Sequence, residues 1–185
     1  MQFDASKIVL VGMPGSGKST VGRLLGGLTG WPFCDLDDRM VQRWSLSIAE
    51  QFARWGEERF REREREALWL NLEQPGPFVL ATGGGTPVWF NQMDELLALT
   101  RVVWLDVEVA ELTRRLSRGP ATRPLLLDLQ SDSGLGHPNL PTNTLEALYH
   151  SRFHVYEKAP IRITGNNDAE SIARQILQIL SSGRT

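Results

Sequence analysis

The stretch Gly12-Met13-Pro14-Gly15-Ser16-Gly17-Lys18-Ser19-Thr20, directly after the apolar run Ile8-Val9-Leu10-Val11, constrains this chain more than any other. It fits the spacing GxxxxGK[ST]. Glycines at these intervals let successive backbone N–H groups turn inward around phosphate oxygens. The lysine ammonium reaches the β and γ phosphates, and the hydroxyl beside it can ligate Mg²⁺. A helix that begins at such a loop directs the positive end of its dipole at the same anion. The flanks agree, because a β-branched run precedes the loop and Val21, Leu24, Leu25 and Leu28 recur after it at helical spacing. Gly15, Ser16, Gly17, Lys18, Ser19 and Thr20 are therefore the candidate ligands of a nucleoside triphosphate.

A strand–loop–helix of this kind needs a parallel sheet around it. Strand-like runs at 7–11, 31–35, 78–82, 101–105 and 160–164 alternate with segments of helical periodicity, which predicts βαβ units. The expected fold is an α/β, P-loop NTPase-like three-layer sandwich, a five-stranded parallel sheet flanked by helices. At 185 residues one domain spanning 1–185 is expected. The formal net charge of −2 offers no basic field for nucleic acid and no polybasic membrane patch. No apolar run approaches the ~18–20 residues of a membrane span, and the N-terminus lacks the layout of a signal peptide. The lone Cys34 cannot form an intramolecular disulfide and suits a reducing cytosol, so a cytoplasmic location is expected.

The second strand runs into Asp35-Leu36-Asp37-Asp38, which places carboxylates at a strand's C-terminal end, where open α/β sheets bind ligands. One of them could equally cap the next helix. Ser47 and Glu50 form a capping-box pattern ahead of Phe52 and Trp55, with Gly56 closing that short helix. Every residue of 57–66 but Phe60 is charged, usually the mark of a solvated helical face. Yet Phe60, Glu64, Ala67 and Leu68 share one stripe, so Glu64 falls where an apolar residue belongs. Arg61, three residues earlier, can supply its partner, and an arginine oriented by a carboxylate is suited to grip an anion bidentately. Gly83, Gly84 and Gly85 follow the third strand, either as a flexible turn or as a place where backbone approaches a ligand closely. By position they converge with Asp35, Asp37 and the phosphate loop on one crevice.

Asn91 could cap a short helix through Leu97, and the helix after the fourth strand carries Leu112 and Leu116 inward, with Arg114 and Arg115 near its C-terminus. The pattern then lapses over roughly 117–143, long enough for a lid. Arg123 lies inside it, where an arginine can swing onto a γ-phosphate. In the next helix Leu145, Leu148, Tyr149, Arg152 and Tyr156 share a stripe. Arg152 either snorkels to water or points into the crevice. His150 and His154 lack companions at metal-ligand spacing and read as a surface pair. Asp168 caps a final helix with Ile172, Ile176, Ile179 and Leu180 inward. The six tryptophans, Trp31, Trp44, Trp55, Trp69, Trp89 and Trp104, are read as packing residues.

In this order and spacing, Gly12 through Thr20, Phe33-Cys34-Asp35-Leu36-Asp37, the run from Gly56 to Glu64, Gly83, Gly84 and Gly85, Arg123-Pro124-Leu125-Leu126, and Arg152 followed by Tyr156 resemble the shikimate kinase family over nearly the whole chain. The resemblance implies an ATP-dependent small-molecule kinase that transfers the γ-phosphoryl group to the 3-hydroxyl of shikimate, a step toward chorismate and the aromatic amino acids. It further implies that Lys18, Asp37 and Arg123 are catalytic and that residues 15–20, Arg115 and Arg123 bind ATP. Asp37, Arg61, Gly83, Gly84, Gly85 and Arg152 would bind shikimate. Ser19 would ligate Mg²⁺, with Asp35 supporting it through water, and Asp37 would act as base or orienter. The substrate-binding helical segment would span about 37–72. ATP and shikimate are the expected partners, with no nucleic acid or membrane, and a monomer is expected. The sequence departs from the family after Arg152, where Phe153-His154-Val155 replaces the usual Pro-Leu before Tyr156. It departs again in the long 127–144 stretch and at Asn166-Asn167-Asp168-Ala169, which lacks a proline often found near adenine. Two other readings use the same phosphate loop: a kinase of another hydroxy acid such as gluconate, and a catalytically silent nucleotide-binding module.

Overall fold

The computed structural model describes residues 6–118, 142–165 and 167–182. Strand β1 (Lys7–Val11) is central in a sheet of order β2-β3-β1-β4-β5, completed by β2 (Phe33–Asp35), β3 (Phe78–Ala81), β4 (Arg101–Asp106) and β5 (Ile161–Thr164). Every pairing is parallel, with Leu10 level with Ala81 on one side and Val103 on the other. The five expected strands are all present, slightly trimmed: Trp31, Pro32, Thr82 and Pro160 lie outside them and Asp106 joins β4.

Both faces of the sheet are covered. Ile8, Leu10, Val79, Val103, Leu105 and Ile163 point to a core shared with α1 (Lys18–Thr29) and α7 (Ala169–Ser182). Val9, Val11, Phe78, Leu80, Val102 and Trp104 point the other way. That side is covered by α2 (Leu36–Trp44), α3 (Ile48–Leu72), α4 (Gln92–Leu99), α5 (Val109–Arg118) and α6 (Thr142–Tyr156). The two-residue alternation along each strand thus divides one sheet between two hydrophobic cores. Among the described residues no helix is long and apolar enough to cross a membrane.

Two helical faces differ from the expected stripes. Leu28 is 44% exposed, and the face of α1 turned to the sheet is Val21, Gly22, Leu25 and Gly26. The glycines leave room for the Phe33 ring of β2, and a Cβ built on Gly22 would stand 2.4 Å from Phe33 Cε2. A face made partly of glycine carries no hydrophobic signal, which is why the leucines pointed elsewhere. Gly22→Ala is expected to overpack this contact and destabilise the protein by about 1–3 kcal/mol, read as a lower urea midpoint. A wild-type midpoint would mean that Phe33 can move aside freely. In α7, Ile179 is exposed, because Ala173 and Ile176 centre the buried face and Ile179 lies about a quarter turn away.

Local signals at helix ends are mostly realised. Gly30 ends α1 in the left-handed region. The Ser47 hydroxyl accepts from the Glu50 amide while the Glu50 carboxylate accepts from the Ser47 amide, the reciprocal capping box. Gly56, at φ 72 and ψ 171, breaks the helix that Ser47 starts, but helix resumes at once and runs to Leu72. Asp168 accepts from the amides of Glu170 and Ser171 at the start of α7. Asn91 is different: it precedes α4 with φ 57 and its side chain caps nothing, while the helix extends to Leu99. Helix α5 runs to Arg118, so the expected lid yields its first residues to it. Arg123, the rest of that segment over 119–141, and Asn166 lie outside the described residues.

Candidate active site

The phosphate loop leaves the C-terminal end of the central strand, and the carboxylates and glycines leave the neighbouring ends of β2 and β3. Gly12 and Gly17 have φ of 141° and 96°, values that side chains other than glycine rarely adopt, and these bends carry the chain around the loop into α1. Lys18 is buried. Its Nζ donates to the carbonyls of Gly12 and Met13 at 2.9 Å, so the ammonium spans the mouth of the loop. Arg115 lies against the same loop, its Nη1 3.4 Å from the carbonyls of Gly15 and Ser16, while its Nε donates to Glu111 at 2.7 Å. Glu111 also takes two bonds from Arg114, and these hydrogen bonds lower its pKa to about 2. One carboxylate thus aims Arg115 at the loop.

Asp35 serves two groups at once. Its Oδ1 accepts from the Asp37 amide at the start of α2, and its Oδ2 accepts from the Ser19 hydroxyl at 2.5 Å. Asp35 is thus the aspartate that caps the next helix, and its second oxygen holds the Ser19 hydroxyl of the phosphate loop. Asp37, in the first turn of α2, is half-buried. Burial raises its pKa to about 7, the carboxylates of Asp35 and Glu64 push in the same direction, and the Lys18 ammonium opposes them. A carboxyl group in this position is ready to change its protonation near neutrality.

Helix α3 contributes the next side. Phe60, Glu64, Ala67 and Leu68 are all buried, as their shared stripe predicts. Glu64 Oε2 accepts from Arg61 Nη1 at 2.9 Å, with both side chains only 2% exposed, and Glu57 lies 3.4 Å from Arg61 Nη2. Glu64 Oε1 accepts from the Thr86 hydroxyl at 2.7 Å, a bond that ties α3 to the turn after the triple glycine. The sequence named Arg61 as the partner of Glu64 but not Thr86, because that hydroxyl is 22 positions away.

The glycines are wedged between these parts. A Cβ on Gly83 would sit 2.8 Å from Glu64 Oε1 and 3.4 Å from Asp37 Oδ1; on Gly84, 2.7 Å from the Pro14 ring; on Gly85, 2.8 Å from both terminal nitrogens of Arg61. Their role is close approach, and they form the strip that joins the phosphate loop to Arg61. The Tyr156 hydroxyl, fully buried at the end of α6, donates to the Gly84 carbonyl. Burial raises its pKa, opposed chiefly by the Arg152 guanidinium beside it and then by Arg61. Arg152 therefore points inward rather than snorkelling, at 8% exposure. Arg61 Nε and Arg152 Nη1 are buried donors that have no hydrogen-bond partner among the described residues. His150 and His154 are exposed, and among the described residues no cluster of three or more His, Cys, Asp or Glu could hold a metal ion.

Of the sequence-predicted site residues, Lys18, Ser19, Asp35, Asp37, Arg61, Gly83, Gly84, Gly85 and Arg152 are brought together around this crevice. Arg115 borders its phosphate side, and Arg123 is outside the described residues.

The comparisons with known proteins match this geometry. A family model described as shikimate kinase matches residues 14–181. The shikimate kinase of Synechococcus sp. (strain RCC307) is 39% identical over 180 residues, covering 97% of this chain and 86% of that one. The structure of shikimate kinase from Acinetobacter baumannii in complex with shikimate superposes with a TM-score of 0.86 at 32% identity, covering 97% of this chain and 95% of that chain. A gluconokinase from Sinorhizobium meliloti 1021 shares the fold at a TM-score of 0.62, but at 18% identity the likeness extends no further. With the phosphate loop, the carboxylate pair and the buried arginines set on this sheet, and with relatives that span nearly its full length, the chain belongs to the shikimate kinase family.

Proposed function

We infer that this protein transfers the γ-phosphoryl group of ATP to the 3-hydroxyl of shikimate. The observation that carries the reading is the pair of buried guanidinium donors without hydrogen-bond partners among the described residues, Arg61 Nε and Arg152 Nη1, the first guanidinium packed against Gly85 and the second beside Tyr156, whose hydroxyl binds the Gly84 carbonyl. A buried donor without a partner costs about 1–3 kcal/mol, more when it is charged, and an anionic ligand removes that cost. A small acid that bears a carboxylate for the arginines and hydroxyls for Asp37 fits both requirements.

In this reading the backbone amides of 15–20 and the Lys18 ammonium hold the phosphates, with Lys18 exchanging its loop carbonyls for phosphate oxygens. Arg61 and Arg152 fix the carboxylate, which orients the ring so that the 3-hydroxyl faces the γ-phosphorus. Asp37 orients that hydroxyl and accepts its proton as the new oxygen–phosphorus bond forms and ADP leaves, yielding shikimate 3-phosphate. Most of the acceleration comes from positioning and charge, with proton transfer adding to it. Arg115, held on the loop by Glu111, and Arg123 would neutralise charge from the nucleotide side. The oxygen pair of Ser19 and Asp35 suits Mg²⁺, a hard cation usually held by one or two protein oxygens, phosphates and waters. Ser19 would ligate it directly and Asp35 through water, and the ion would supply charge neutralisation at the β and γ phosphates.

The test is a coupled assay of ADP release by the purified protein with ATP, Mg²⁺ and either shikimate or gluconate. Turnover confined to shikimate is expected. Turnover with gluconate alone would transfer the reading to another hydroxy acid, and none with any acid would favour a silent nucleotide-binding module.

A further inference from the structure

The arginine read as the carboxylate clamp sits among three aromatic rings, and one of them, Trp89, belongs to neither hydrophobic core. Arg61 Cζ is 5.5 Å from the Phe52 ring centroid, 5.3 Å from Phe60 and 5.7 Å from Trp89. Phe52 and Phe60 stack on one another with centroids 3.8 Å apart, and Phe60 belongs to the core. Trp89 comes from a different element, the 3₁₀ segment Thr86–Asn91 that follows the triple glycine, and it is 36% exposed.

That segment is built to hold the indole there. At its start Thr86 is fully buried, its hydroxyl bonded to Glu64 and its carbonyl accepting from Gln92 Nε2 at 2.8 Å. The Val88 amide donates to the Gly85 carbonyl at 3.0 Å. At its end Phe90 and Asn91 are consecutive residues other than glycine in the left-handed region, with φ of 54° and 57°. Side chains avoid that conformation, and such strain persists where surrounding contacts enforce it. Trp89, immediately before them, is extended, at φ −85 and ψ 147. Phe90 falls within 5.6 Å of Arg65 Cζ, and Arg65 is tied to Glu95 of α4 at 2.6 Å.

We propose that Trp89 is a positioning residue for the acceptor carboxylate, its indole forming the wall that holds the Arg61 guanidinium while leaving the guanidinium's N–H edge open to ligand. The physical distinction is one of donors. Glu64 and Glu57 hold Arg61 by occupying N–H groups, whereas an aromatic ring attracts the cation through its quadrupole and consumes none. Arg61 Nε remains a buried donor without a partner among the described residues, so one orienting contact that leaves every N–H free adds to its readiness. The ring also screens that contact from water, which strengthens a charged hydrogen bond.

This inference rests on the reading of Arg61 as the carboxylate clamp, and the experiment separates the two. Steady-state constants for shikimate and ATP are measured for Trp89→Ala, Trp89→Phe, Trp89→Leu and Arg61→Lys, each first shown to be folded by urea unfolding. Trp89→Ala is expected to raise KM for shikimate about tenfold, with kcat and KM for ATP within about twofold of wild type. Trp89→Phe, which keeps a π face, should lie within about threefold of wild type, and Trp89→Leu, apolar without that face, should resemble the alanine variant. An unchanged KM in Trp89→Ala, a parallel rise in KM for ATP, or wild-type behaviour in Trp89→Leu overturns the inference. If Arg61→Lys raises KM for shikimate while Trp89→Ala does not, only the role of Trp89 fails. If Arg61→Lys leaves KM unchanged, the clamp reading falls and this inference falls with it.

Discussion

Asp37→Asn is expected to lower kcat for shikimate phosphorylation by about 10²–10⁴-fold, with KM for ATP little changed. The asparagine keeps the shape and can still orient the acceptor hydroxyl, but it cannot take the proton. The pH profile carries the sharper expectation. Burial, with help from Asp35 and Glu64, raises the Asp37 pKa from 3.8 to about 7, so in the free protein the group is protonated and unable to accept below that value. In the wild type kcat/KM should therefore fall about tenfold per unit as pH drops below about 7, and the asparagine variant should lack that limb. A loss of less than tenfold, with the limb intact, would assign the proton to another acceptor. The same displacement has a consequence for stability. The folded protein holds this proton more tightly than the unfolded chain does, so the contribution is fully present below pH 3.8 and is lost as pH rises through about 7. Urea midpoints of the ligand-free protein should show that downward slope, and Asp37→Asn should flatten it.

Arg61→Ala is expected to act on both binding and folding. A charged hydrogen bond contributes about 1.5–3 kcal/mol, so loss of the clamp should raise KM for shikimate by about 10- to 100-fold while KM for ATP stays within about threefold. The fold suffers too, because Glu64 is left buried with the Thr86 hydroxyl as its one hydrogen-bond partner among the described residues. Breaking a buried ion pair from one side costs about 3–5 kcal/mol. A double variant separates the effects: Arg61→Met with Glu64→Gln removes the uncompensated charge and should recover most of the stability while shikimate binding stays weak. Recovery of both, or equal losses for shikimate and ATP in Arg61→Ala, would show that Arg61 is a structural arginine.

The legible part of this protein was the part with local signals. The phosphate loop, the five strands, the capping box of Ser47 with Glu50 and the Asp168 cap are each written within a few residues of one another. Glu64 was legible as an anomaly, since a charge on an apolar stripe demands a partner, and Arg61 was near enough in sequence to be named. Leu28 and Ile179 were misplaced because the inward faces of their helices are centred on glycine or alanine, which leave weak hydrophobic traces. Gly56 was read as an end because a helix break and a helix end look alike until the following residues are seen to pack.

Sequence by itself determined the donor half of the site and the fold class, because a loop that must wrap phosphate needs its glycines, lysine and hydroxyl in one continuous stretch between a strand and a helix. Tertiary structure alone decided how the residues named around that loop hold one another. It showed that Asp35 caps a helix with one oxygen while binding Ser19 with the other, that Arg152 turns inward beside Tyr156, and that Thr86 and Trp89 flank the glutamate–arginine pair. These residues come from five separate elements, and a sheet brings them together only once both of its faces are buried. No periodicity in the chain records which side chains will share one pocket, since that depends on which neighbour each charged group finds after water has been excluded.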